Sequence, residues 1–172
     1  SDGQEDRESQ ARLLELLAEN LLNQGRMGEA ENYQAQAREL REQGPDTAEL
    51  PTRLLLRTGR LAEAREMLEA QALLEEQAPV LRPRAHRETL LLLSLILSYQ
   101  GELEAALQTA VAGTKRGQEL NSQFITAVGH CRQGHAWLLH KNEAGYEQAR
   151  HWFQVGIEMR DQMEEPRLKI EA

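Results

Sequence analysis

Apolar side chains recur every three or four residues along most of this chain, the period of a helix with one buried face. From about Ser9 the period is carried by Leu13, Leu14, Leu17, Leu21 and Leu22. After the turn Gly25-Arg26-Met27-Gly28 it passes to Ala30, Tyr33, Ala37 and Leu40, in a second helix reaching about Gln43. Gly44-Pro45-Asp46 breaks the pattern, and Asp46 or Thr47 can cap the next helix. Pro51 then predicts either a short helix starting near it or a kinked one from Asp46, because proline lacks an amide donor. A partner helix over about Leu61–Gln77 carries Ala64, Leu68, Ala72 and Leu73. Residues 78–83 form a connector, with Pro83 suited to the first position of the next helix. The segment from Arg84 to Tyr99 is apolar on nearly all sides, with Leu90, Leu93 and Leu97 on one face and Leu91, Leu92 and Leu95 on the others. Such a helix is usually buried between neighbours.

Leu103–Gln118 pairs with it around Gly101, and Asn121 or Ser122 caps a last pair, Gln123–His140 with Ala144–Met163. Residues 1–8 are polar and predict a frayed start. Pro166 interrupts, and residues 166–172 resemble the first turns of a further helix, as in a fragment of a longer protein. The expected architecture is all-α, one domain over 1–172, with helix hairpins at about 9–43, 46–78, 83–118 and 121–163. A glycine followed five residues later by alanine punctuates it, at Gly25/Ala30, Gly59/Ala64 and Gly101/Ala106, with a looser fourth copy ending at Ala149. The alanines are 34, 42 and 43 residues apart.

Composition narrows the function classes. Leu, Ala, Glu, Gln and Arg dominate and only 4% of the 172 residues are aromatic, a mixture that favours helix. With 40% hydrophobic and 28% charged residues the chain has neither a disordered nor a membrane composition. No apolar run is long enough to span a bilayer, and no signal-peptide pattern opens the chain. A net charge of −8 argues against nucleic acid as the main ligand. The single cysteine, Cys131, excludes an internal disulfide and fits a reducing, cytoplasmic compartment.

Candidate chemistry is sparse. Cys131 and His135 lie four apart, on one helix face, so they could share a metal or form a thiolate–imidazole pair. Two ligands do not make a zinc site, and the packed reading is preferred. No phosphate loop, nucleophile elbow or zinc-protease motif is present, so a non-catalytic protein with no cofactor and no bound metal is expected. Arg82, Arg84, His86 and Arg87 could hold an anion at a helix start, though ordinary solvated charge is the simpler reading. Glu15, Glu19 and Glu49, with Arg12, Arg53 and Arg57, could recognise a polar peptide or pair with one another. Trp137 and Phe153 read as core, whereas Phe124, Tyr146 and Trp152 are less constrained.

Aligned on these alanines, the copies resemble tetratricopeptide repeats, whose period is 34 residues. The residues that carry the resemblance are Gly134, Trp137, Ala149 and Phe153 in the fourth copy; Leu90, Leu93, Ser94, Leu97, Gly101, Ala106 and Ala110 in the third; and Leu14, Leu17, Ala18, Leu21, Gly25, Ala30 and Ala37 in the first. The second keeps Gly59, Ala64 and Leu68 but has Pro51 and Thr52 where a large and a small residue belong. The resemblance implies a right-handed α-α superhelix of about four hairpins with a concave groove. On that register Arg53, Arg57, Tyr99, Cys131, His135 and Leu138 face inward, a set suited to a polar ligand or an extended peptide with an acidic group.

The stretch from Leu55 to Ala64 and that from Asn121 to Trp137 are also similar to repeats of large bacterial ATP-dependent transcriptional activators. These are the maltose-activator type with a LuxR-like DNA-binding end, and relatives with a bacterial transcriptional activator domain. That resemblance implies a sensor segment of a cytoplasmic regulator, its groove taking a peptide, a regulatory protein or a small-molecule inducer. It also implies no direct nucleic-acid or membrane contact, and the exposed end allows weak self-association. The competing expectation is a free-standing adaptor for protein–protein interaction, separable by whether an NTPase or DNA-binding domain flanks this segment.

Overall fold

A computed structural model of the chain describes residues 2–40, 49–77 and 85–163. Among them lie eight α-helices and no strand: α1 (Asp2–Asn23), α2 (Met27–Leu40), α3 (Glu49–Arg57), α4 (Leu61–Gln77), α5 (Ala85–Gln100), α6 (Leu103–Glu119), α7 (Gln123–Leu138) and α8 (Glu143–Met163). The all-α expectation holds for these residues. The helix expected from Ser9 already runs from Asp2. In α3, Pro51 occupies the first turn, where amides have no intrahelical acceptor and its missing N–H costs little. The break at 44–46 with its proposed caps, the connector through Pro83 and the segment 166–172 lie outside the described residues.

One turn recurs. At Gly25, Gly59 and Gly101 the backbone enters the left-handed region, with φ of 78°, 77° and 83°. The amide of the next residue returns to the carbonyl five positions back: Arg26 to Leu21 at 2.9 Å, Arg60 to Leu55 at 2.8 Å, Glu102 to Leu97 at 2.9 Å. This closes the preceding helix and satisfies a carbonyl that would otherwise be orphaned. The same residue then accepts the first bond of the following helix, from Ala30, Ala64 and Ala106 respectively. Glycine and alanine are therefore tied by one hydrogen-bonded unit, and all three alanines are wholly buried.

Two further turns use the left-handed region without glycine, at Asn121 (φ 51°) and Lys141 (φ 53°). Ser122, not Asn121, is the cap of α7: its hydroxyl accepts from the Ile125 amide at 3.4 Å. In the last hairpin Asn142 accepts the first helical bond, from Tyr146. Ala149 thus sits about one turn further along α8 than the register of the first three copies, and it is still buried because a helix turn preserves the face.

The chain divides into two compact units, 1–64 and 65–172. In the first, α1 packs on α2, and α3 packs on both. Leu21, Leu22, Ala30 and Leu54 form its core, with Met27 and Tyr33 against them. Arg53 reaches from α3 to Glu19 (3.2 Å) and Arg57 to the Leu22 carbonyl (3.3 Å). Two leucines expected inside α1, Leu13 and Leu17, are instead 66% and 42% exposed, and Ala11 and Ala18 are the residues that α1 buries there. Small side chains let α1 approach its neighbours closely and turn the leucines outward.

In the second unit α5, α6, α7 and α8 pack in succession, and α5 also meets α7. Leu91, Ile125, Ala127 and Val128 form a core cluster, covered by Phe124 and Met159. Glycines set the separations. Gly129 lies against the Thr114 backbone, and Gly117 against the amide of Thr126, so α6 and α7 nearly touch. Ser94 donates to the carbonyl of Ala106 at 2.8 Å, which fixes the α5–α6 crossing. Leu91, Leu92, Leu93, Ile96 and Leu97 are buried, whereas Leu90 and Leu95, expected to pack as well, are only half-buried.

Candidate functional site

The residues picked out as a groove fall in both units. Arg53 and Arg57 belong to the first, where both are engaged by α1. For Arg53 the pairing alternative is the one realised, since Glu19 is its partner. Tyr99, Cys131, His135 and Leu138 belong to the second unit. Tyr99, in the last turn of α5, is 60% exposed, and Leu138, at the end of α7, is 43% exposed. Either can meet a ligand from solution.

Cys131 is 2% exposed and its sulfur faces α8 where Gly156 leaves room: a Cβ there would lie 2.8 Å from Sγ. It offers almost no surface to a solvent-borne group. His135, one turn on, is half-buried, with Nδ1 3.4 Å from Nη1 of Arg132 and its ring edge-on to Phe153 at 5.2 Å. Among the described residues no group of three or more His, Cys, Asp or Glu side chains could hold a metal ion. Phe153 in turn fills the space beside Gly134. Trp137 and Phe153 are half-buried where the pattern placed them in the core.

Several polar residues inside this unit escaped the sequence reading. Arg132 and Gln133 are buried on α7, and Gln133 donates to the Thr114 hydroxyl at 3.0 Å, which donates to the Ala110 carbonyl at 2.8 Å. The only signal for this was the flanking glycines. His130 stacks on Trp152 with ring centroids 5.1 Å apart and planes 9° apart. Burial, and secondarily His151, holds its pKa below the ordinary histidine value. Trp152, left undecided by the sequence, is thus a packing partner of α7.

The unit also contains a cleft of about 440 Å³ between α4, α5 and α6. Its apolar lining is Ala72, Leu90 and Ala112; Glu75 and Glu76 stand on the α4 side, and Lys115, Arg116 and Glu119 on α6. Glu75 is fixed by Thr89 (2.7 Å) and Gln71 (3.0 Å), and Arg116 is 3.4 Å from Glu119. Opposed charges over an apolar patch can bind a mixed-charge segment but supply no nucleophile or general base with an activating partner. The basic patch read from the sequence lies outside the described residues: Arg82 and Arg84 do, as do the side chains of His86 and Arg87. No protein-family model matches this chain, and no curated protein or solved structure matches it.

Proposed function

We propose that this chain is a non-catalytic binding segment built from tetratricopeptide-like hairpins in a right-handed superhelix. Its functional analogue is the cytoplasmic sensor region of large bacterial transcriptional regulators. The observation that carries the reading is the recurring turn: a left-handed residue, then the carbonyl that starts the next helix, then a buried alanine in three of the four hairpins. The meeting of α5 with α7 supports it, because repeat arrays stack the first helix of one hairpin on that of the next. In such an array the first helices line a surface that takes a peptide, a regulatory protein or a small inducer. Tyr99, His135 and Leu138 are the side chains of the second unit offered there.

The test starts with native mass spectrometry of the protein purified from its own host, to identify what it retains. That molecule is then titrated against wild type, His135→Ala and Arg57→Ala. A lost charge-assisted or hydrogen-bonded contact is expected to weaken binding by about 1–3 kcal/mol with helicity unchanged. Wild-type affinity in both variants would move the binding surface away from the first helices.

A further inference from the structure

The seam between α7 and α8 carries a titratable group that the binding reading does not use. Gly156 brings the α8 backbone against Cys131, Gly134 receives Phe153, and in the same seam His130 lies flat on Trp152. His151 stands edge-on to the same indole, at 5.0 Å and 66°. Nδ1 of His130 is buried and has no hydrogen-bond partner among the described residues. In the neutral ring this is tolerable, with the proton on Nε2 and a bare lone pair at Nδ1. Protonation changes that, placing a buried N–H donor and a positive charge where nothing receives them.

The surroundings do not compensate. One turn away on α7 stand Thr126, Ala127, Gln133 and Gly134, none of them charged. From α8 the titratable group acting on His130 is His151, whose charge disfavours a proton on His130. Attraction between an imidazolium and the indole face works the other way. It is opposed by two effects together, the unreceived donor and the repulsion from His151.

We propose that the α7–α8 seam is a proton-sensitive clasp, in which uptake of a proton by His130 breaks its stack on Trp152 and loosens α8 from α7. The sign comes from linkage. A base whose folded pKa is depressed binds fewer protons folded than unfolded, so the contact is complete above about pH 6.5, the unfolded value. It weakens as the pH falls from there towards the folded pKa.

Hydrogen exchange of the α8 amides, corrected for the intrinsic pH dependence, tests this at about pH 7.5 and about pH 5.5. Wild-type protection in α8 is expected to fall several-fold at the lower pH, with α5 and α6 protection retained. His130→Gln removes the titration, and His130→Phe keeps a ring on Trp152 without a proton site, so the second variant remains informative if the first loosens α8 at both pH values. His130→Phe is expected to show no pH-dependent loss, and His151→Gln a smaller loss than wild type. Unchanged or increased wild-type protection at low pH overturns the proposal, and so does a His130→Phe response equal to that of wild type.

Discussion

Alanine in place of Gly129 should destabilise the second unit, whereas alanine in place of Gly28 should not. Both glycines are helical: Gly129, inside α7, gains about 1 kcal/mol from the substitution, and Gly28, in the first turn of α2, gains less. At Gly28 a new methyl meets nothing within 4 Å, and that gain stands alone. At Gly129 the methyl would fall on the Thr114 hydroxyl and 2.9 Å from the Thr114 Cα. Thr114 cannot yield easily, because its hydroxyl accepts from Gln133 and donates to the Ala110 carbonyl in the buried interior. Either α6 and α7 separate, at an overpacking cost of about 1–3 kcal/mol, or the Gln133 amide loses its acceptor, at about 1–3 kcal/mol. After the propensity gain, Gly129→Ala should lose up to about 2 kcal/mol if one cost is taken and about 1–5 kcal/mol if both are. Urea unfolding monitored by circular dichroism reads this as a lower midpoint at unchanged slope. If Gly129→Ala unfolds above the wild-type midpoint, the close α6–α7 approach is wrong.

The same geometry sets three further outcomes. Ala106→Leu should cost about 1–3 kcal/mol, since Ala106 is wholly buried and its carbonyl holds Ser94; an unmoved melting midpoint would contradict that crossing. Exchanging turn residues should give opposite signs. Gly101→Ala forces a side chain into the left-handed region and should cost about 1 kcal/mol, while Lys141→Gly should be neutral or mildly stabilising, both read by urea midpoint. Arg53→Ala should cost about 1 kcal/mol or less, because its bond to Glu19 is partly solvated, and a double-mutant cycle with Glu19→Ala isolates the pair.

The sequence by itself determined the helices and three of their turns, because both are local. A left-handed residue at a helix end is cheapest as glycine, and the bonds it closes span only five residues, so Gly25, Gly59 and Gly101 were legible. Lys141 adopts the same conformation without that mark, which is why the register of Ala149 was not; the α6–α7 turn, left-handed at Asn121, was marked instead by the cap at Ser122. Which face of a helix is buried was decided by tertiary packing. Leu13 and Leu17 satisfy the helical period yet point outward, since the partner helices close on Ala11 and Ala18. The candidate site divides in the same way. Residue types placed Cys131 and His135 on one face of α7, but the glycine opposite the thiol, seated on another helix, sends Cys131 into the interior. Arg53 and Arg57 found partners on α1 that only the packing of α3 brings within reach. The stack of His130 on Trp152 depends on two helices meeting at that depth, a distance no spacing within one chain segment encodes.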